Sequence, residues 1–218
     1  ILRLLREVTS EPLVAWGPAA TVALVAGTPL VDAVLPESGK PGVLELMRTL
    51  RAHQAARSVH FPKSLRPALA AWLAAVPVRI GVDESLAGVF NTHSGPFWDA
   101  EGPFLHRYHA VLAKAFPGLP PMPFADFDPG RAVDSPTAPY LCLMPGSVWP
   151  TKQWPASHFR ALVLKARSEG LEVVVLGAPG EAEVCAAVAG DEARNLCGRT
   201  DLKEAAAWLR GAWAVVGN

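Results

Sequence analysis

The chain has 218 residues, half of them hydrophobic, and its 20 basic and 20 acidic side chains cancel. That is enough apolar chain for one large domain or two small ones. The balanced charge excludes any composition-level case for nucleic acid or an anionic membrane surface, so phosphate recognition has to be local.

Three cysteines, Cys142, Cys185 and Cys197, are too few and too scattered for a disulfide framework or a zinc site. They read as core thiols of a protein from a reducing compartment. No apolar run reaches the roughly 18 residues of a membrane-spanning helix, and no secretory signal is read. The chain opens on Ile1-Leu2-Arg3-Leu4-Leu5-Arg6, the middle of an amphipathic helix, and closes on Val215-Val216-Gly217-Asn218, at a strand tip. Segments outside both ends are expected.

After the opening helix, Leu13-Val14-Ala15-Trp16 reads as a buried strand between Pro12 and Gly17, and a helical stretch runs from Gly17-Pro18 to Gly27. Val31 to Leu35 is a second strand. Residues 43–53 form a helix with Leu46, Leu50 and His53 on one face. Ser58 to Phe61 is a third strand, followed by Pro62-Lys63-Ser64 and a helix through Ala75, and Val78 to Val82 is a fourth. Residues 83–102 lack periodicity and read as a surface loop, and a helix follows to Phe116. Strands and helices alternating over short connections argue for parallel βαβ units. Seven prolines between Pro117 and Pro139 then leave few places for a regular element. Proline fixes φ and removes a donor, so residues 119–139 read as a linker between a domain over 1–118 and another over 140–218.

In the second half Leu141 to Met144 is a strand, and Pro155 opens a helix with Phe159, Leu162, Val163 and Ala166 on one stripe, closed by Gly170. Leu171 to Leu176 is apolar enough to be a central strand. It ends at Gly177-Ala178-Pro179-Gly180, a turn into a helix near Glu181. Asn195-Leu196 suggests a short strand, Asp201 with Glu204 resembles a capping box for a helix ending near Arg210, and Trp213 to Val216 is the last strand. Ligands of open parallel sheets sit beyond the carboxyl ends of the strands. The Ser147 to Lys152 loop and the Gly177 to Glu181 turn both hold that position, so they should face one ligand.

The loop from Pro145 to Pro155 has the layout of an anion site: an apolar strand stops at Pro145-Gly146, two hydroxyls and a lysine follow, and a helix starts after Trp154-Pro155. Unpaired N–H groups and the positive end of the helix dipole favour phosphate oxygens, and Lys152 adds a full charge. An ordinary turn beside a solvated lysine fits the same residues.

Pro145-Gly146-Ser147, Thr151-Lys152-Gln153-Trp154-Pro155, Phe159, Gly177-Ala178-Pro179-Gly180-Glu181, Asn195 to Leu202 and Val215 to Asn218, in that order, resemble the donor domain of glycosyltransferase family 9, the ADP-heptose:lipopolysaccharide heptosyltransferases. Leu30 to Leu35, Lys63-Ser64-Leu65-Arg66, Arg79-Ile80-Gly81 and His106-Arg107-Tyr108 resemble its first domain more weakly. The resemblance implies an α/β, GT-B architecture of two Rossmann-like domains with parallel sheets facing across a cleft. It implies transfer of a heptose or related sugar, with inversion, from an ADP-sugar to an anionic acceptor like the lipopolysaccharide core. It also implies no cofactor and no metal beyond the nucleotide-sugar substrate, which in this family is ADP-heptose, no nucleic-acid partner, and a cytoplasmic protein with at most peripheral contact at the inner face of the inner membrane. Carried over, Ser147, Thr151 and Lys152 hold the diphosphate, Glu181 the ribose hydroxyls and the backbone near Thr200 the adenine, while Lys63, Ser64 and Arg66 are acceptor-side candidates.

The family's general-base aspartate belongs to a Gly-Asp motif that would precede Ile1, and a further motif would follow Asn218. Residues 1–218 alone are therefore expected not to catalyse transfer. A non-catalytic nucleotide-sugar binder of the same fold and a UDP-sugar-using GT-B relative remain as alternatives. Ser147, Thr151 and Glu181 also suit simple capping roles. Trp149 and Trp154 read as core or cleft wall. His93, His106 and His109 lack metal-ligand spacing and read as structural or solvated.

Overall fold

Apolar runs bounded by turn residues form parallel strands, and the amphipathic stretches between them return the chain as helices. The computed structural model describes residues 1–37, 39–61, 64–83, 86–95, 104–122, 128, 130 and 132–218. The chain divides into two compact units, Ile1–Ala125 and Asp126–Asn218.

The first unit runs α1 (Leu2–Val8), β1 (Val14–Pro18), α2 (Ala19–Ala23), β2 (Ala33–Glu37), α3 (Val43–Ala52), β3 (Arg57–His60), α4 (Leu65–Leu73), β4 (Val78–Val82), α5 (Ala87–Phe90), β5 (His93–Gly95) and α6 (Phe104–Ala113). Its strands form two parallel ladders among the described residues, β1-β2 and β3-β4-β5. A core of Leu5, Ile80, Val82, Val111, Leu112 and Phe116 packs α1 and α6 against β4.

Three expectations for this unit change. Within the loop expected over 83–102 the described residues include α5 and β5. His93-Ser94-Gly95 has no apolar run to announce a strand. Tertiary bonds hold it there: its ladder with β4, and Arg79, whose guanidinium donates to the Phe90 carbonyl (2.5 Å) and the Val76 carbonyl (2.6 Å). The helix expected up to Gly27 stops at Ala23, because β1 continues through Pro18 and the chain after α2 loosens into turns ending at Gly27, φ +73°. On α3, Leu46 is buried, but His53 follows the last helical residue and is exposed.

Among its described residues the second unit has one four-stranded sheet. Its elements are β6 (Tyr140–Met144), a 3₁₀ turn (Pro150–Lys152), α7 (Ala156–Ser168), β7 (Glu172–Val175), a 3₁₀ turn (Pro179–Glu181), α8 (Ala182–Ala189), β8 (Arg194–Asn195), α9 (Leu202–Gly211) and β9 (Ala214–Gly217). The order is β8-β7-β6-β9, all parallel. Alternate residues of β6 and β7 serve the two faces, as the strand period requires. Leu141, Leu143, Val173 and Val175 join Phe159 and Val163 of α7 and Val188 of α8 on one face. Tyr140, Cys142, Val174 and Leu176 pack against Trp208 of α9 on the other. Gly170, with φ +80°, closes α7 as read, and Asp201 and Glu204 exchange the two bonds of a capping box (2.8 and 2.9 Å).

Candidate functional site in the second unit

Strand β6 sits at the point where the sheet order reverses, with β7 on one side and β9 on the other. Connections leaving the carboxyl ends of such strands diverge to opposite faces and open a crevice, the usual ligand position in open α/β sheets. Four segments emerge along this edge: the Pro145 to Pro155 loop after β6, the Gly177 to Glu181 turn after β7, the Leu196 to Asp201 turn after β8, and Asn218 after β9.

Side chains and amides tie these segments together. The Glu181 carboxylate accepts from the Ala178 N–H (2.7 Å) and fills the space above Gly146 that a Cβ there would take. The two turns expected to share a ligand are thus in contact. The Gly198 N–H donates to the Gly177 carbonyl (2.9 Å), and the Cys197 thiol to the Ala178 carbonyl (3.1 Å), which fastens the third turn to the second. Asn218 clamps the first loop at both ends, its amide donating to the Pro145 carbonyl (2.7 Å) while its oxygen accepts from the Trp154 N–H (2.7 Å).

Within the loop, the Ser147 hydroxyl accepts from the Trp149 N–H (3.3 Å) and donates to the Trp149 carbonyl (3.1 Å), a local turn. Thr151 and Lys152 lie in the 3₁₀ turn, not on α7; the Lys152 N–H closes that turn on Trp149 (2.9 Å). The Lys152 side chain is exposed and forms no ion pair among the described residues. Helix α7 begins after Pro155, which takes the N-cap position without a capping side chain. Trp149 and Trp154 are not core: they are 63% and 43% exposed, Trp154 resting edge-on against Phe159. Thr200 is half-buried just before α9.

The profile of glycosyltransferase family 9 (heptosyltransferase) matches residues 43–218, most of the chain and all four segments of this edge. The chain belongs to glycosyltransferase family 9. No curated protein matches it. Among solved structures it is similar to ADP-heptose lipopolysaccharide heptosyltransferase II of E. coli, with 22% identity and TM-score 0.78 over 100% of this chain and 73% of that one. A family 9 glycosyl transferase from Veillonella parvula gives 17% identity and TM-score 0.78 over 100% of this chain and 69% of its own. The E. coli heptosyltransferase WaaC, solved with ADP, gives 19% identity and TM-score 0.71 over 99% of this chain and 76% of its own. At such identities the likeness is one of fold, the α/β, parallel-sheet GT-B architecture of the heptosyltransferases.

In the first unit of this family 9 chain, Ser64 caps α4, its hydroxyl accepting from the Arg66 N–H (3.4 Å). Arg66 is half-buried, and its Nε is buried with no hydrogen-bond partner among the described residues. Lys63 lies outside the described residues. His60 ends β3, nearly enclosed, with Ser58 Oγ 3.3 Å from its Nε2. Burial first, and the Arg79 charge second, push its pKa down to about 4, so its ring is neutral near pH 7. The Tyr108 hydroxyl bonds the Phe61 carbonyl next to it (2.8 Å).

Sequence reasoning did not assign roles to Gly146 or Asn218 beyond their places in motifs. The signals were there, a glycine directly after a strand and an asparagine at a strand end, but their partners are distant in sequence. His109, read as structural or solvated, bonds the Pro120 carbonyl (2.6 Å). Among the described residues no helix is long and apolar enough to cross a membrane.

Proposed function

We propose that this chain binds an ADP-sugar along the carboxyl edge of the β6–β9 sheet and serves an inverting transfer of a heptose, or a related sugar, to an anionic acceptor resembling the lipopolysaccharide core. The observation that carries the reading is the convergence of four segments on that edge, with Glu181 lodged against Gly146 and the loop after Gly146 carrying an exposed Lys152 that has no ion pair among the described residues.

Each residue has a role its chemistry suits. Lys152 and the Thr151 hydroxyl neutralise charge as it builds on the leaving diphosphate, an effect worth several kcal/mol in a closed site. Ser147 joins them by exchanging its Trp149 bonds for a phosphate oxygen. Glu181 keeps one carboxylate oxygen on Ala178 and offers the other to vicinal ribose hydroxyls, while the backbone near Thr200 edges the adenine. Arg66, with its unpaired Nε, together with Ser64 and Lys63, suits an anionic acceptor. Metal-free displacement belongs to the reading, with the diphosphate stabilised by the protein's own donors. The ADP held by the similar WaaC structure supports an adenine nucleotide over a uridine one.

Calorimetric titration with ADP, UDP and an ADP-sugar tests this. ADP should bind, UDP at least about tenfold more weakly, and Lys152→Ala should weaken ADP about tenfold, the size of one charge-assisted contact. No ADP binding, or binding indifferent to Lys152→Ala, defeats the proposal. Equal affinity for UDP transfers it to a uridine-nucleotide donor.

A further inference from the structure

Cys185 and Cys197 come from different elements and meet under the Gly177 turn. Cys185 lies on α8 and is fully buried, whereas Cys197, expected in the core, is only half-buried in the turn between β8 and α9. Each thiol reaches a backbone carbonyl of the strand end or turn between them, Cys185 that of Leu176 (3.9 Å) and Cys197 that of Ala178 (3.1 Å). Both also crowd one point: a Cβ on Gly177 would lie 2.6 Å from the Cys185 sulfur and 3.1 Å from the Cys197 sulfur. The missing side chain at Gly177 is what leaves room for the pair. Cys142 is on the opposite face of the sheet, fully buried among Tyr140, Val174 and Trp208.

We infer that Cys185 and Cys197 form a reversible oxidation site that closes an intramolecular disulfide when the chain meets a peroxide. Cys197, the accessible thiol, reacts first: its thiolate attacks one peroxide oxygen, the O–O bond breaks, and the departing hydroxide takes up the proton the thiol had released, leaving a sulfenic acid and water. The Cys185 sulfur then displaces the sulfenic hydroxyl, which leaves as a second water with the Cys185 proton. Two electrons have passed from the sulfur pair to the peroxide. Burial pushes the Cys185 thiol up to about 12, with Cys197 adding to it, so Cys185 is not the thiol that meets the peroxide first.

Closure acts on the neighbouring turns. A disulfide needs its sulfurs about 2.05 Å apart, closer than any hydrogen-bonded pair. Cys185 is held in the core, so the Cys197 turn must move. Its thiol can no longer donate to the Ala178 carbonyl, and Ala178 is the residue whose N–H holds Glu181. The oxidised chain should therefore bind ADP about fivefold more weakly, the size of one lost hydrogen bond. This consequence rests on the donor-site reading above; the disulfide itself does not.

The test takes the reduced 218-residue chain, exposes it to hydrogen peroxide, alkylates free thiols and maps the peptides by mass spectrometry. The expected product links the Cys185 and Cys197 peptides, reverts with dithiothreitol and leaves Cys142 free. Cys197→Ser should lose the link, and its own ADP affinity should be the same before and after peroxide. Over-oxidation of Cys197 without a link, or a link only between copies of the chain, overturns the inference. Equal ADP affinity in the linked and reduced chains overturns the coupling. Failure of the reduced chain to bind ADP at all overturns the donor-site reading while leaving the disulfide result standing.

Discussion

Replacing Gly146 with alanine sets a methyl group on the Glu181 carboxylate, and the result can be worked out on both sides. Gly146 is not in the left-handed region, so alanine meets no backbone strain and should even gain about 0.4–1 kcal/mol by restricting the unfolded chain. Against this, the new Cβ overlaps Glu181, whose flexible carboxylate has to swing away and release the Ala178 N–H. A charge-assisted bond is worth about 1.5–3 kcal/mol when sheltered, and about 1 kcal/mol in this exposed turn. Stability should therefore change by less than about 1 kcal/mol. ADP affinity should fall about tenfold as the ribose loses its carboxylate.

Glu181→Ala should weaken ADP by a similar factor. In that background Gly146→Ala has nothing left to displace, so it should leave affinity unchanged and raise the urea midpoint slightly. The double-mutant cycle should show a coupling of about 1–2 kcal/mol in binding. Calorimetric ADP titrations and urea denaturation of the four proteins measure it. If Gly146→Ala weakens ADP equally with and without Glu181, the carboxylate is not what Gly146 accommodates and the reasoning fails.

The neutral His60 ring predicts a pH dependence of stability. Its folded pKa of about 4 lies below the ordinary 6.5, so the unfolded chain binds more protons between those values. The stabilisation is complete above about pH 6.5 and is lost as the pH falls towards 4, up to about 3 kcal/mol. His60→Gln should flatten the urea midpoint over that range, and an unaltered slope would remove the assignment. Asn218→Ala should release both ends of the Pro145 to Pro155 loop, costing about 1–2 kcal/mol in urea denaturation, with faster proteolysis near Trp149. Asn218→Asp keeps the acceptor for Trp154 but turns an oxygen on the Pro145 carbonyl, so it should not restore the parent; full recovery would count against the clamp. Tyr140→Phe should cost about 1–2 kcal/mol, since it strands the buried Trp208 carbonyl that the hydroxyl reaches at 2.6 Å. An unchanged midpoint would mean water takes the hydroxyl's place.

The strands of the second unit were legible because their signals are local. The run over Leu141 to Met144 is apolar throughout and that over Leu171 to Leu176 is apolar but for Glu172 at its start, as strands buried on both faces require, and Asp201 with Glu204 wrote its capping box into four consecutive positions. β5 was not legible, since His93-Ser94-Gly95 is a strand only because β4 lies alongside it and Arg79 holds the preceding turn. The same limit explains the thiols. Apolar neighbours in sequence made Cys197 look like Cys142 and Cys185, but a turn that bonds back to Gly177 and Ala178 leaves it half exposed.

For the candidate site the division is similar. By itself the sequence determined the parallel α/β class, the residue types of the Ser147 to Lys152 loop and the presence of a second turn at Glu181, because strand ends, glycines and proline positions are set by neighbouring residues. Tertiary structure alone decided that β6 lies at the switch point, that Glu181 rests on Gly146, that Asn218 ties Pro145 to Trp154, and that two cysteines share the space under Gly177. The physical reason is that strand order depends on which apolar faces bury one another across the whole unit, and contacts at a sheet's edge follow from that order.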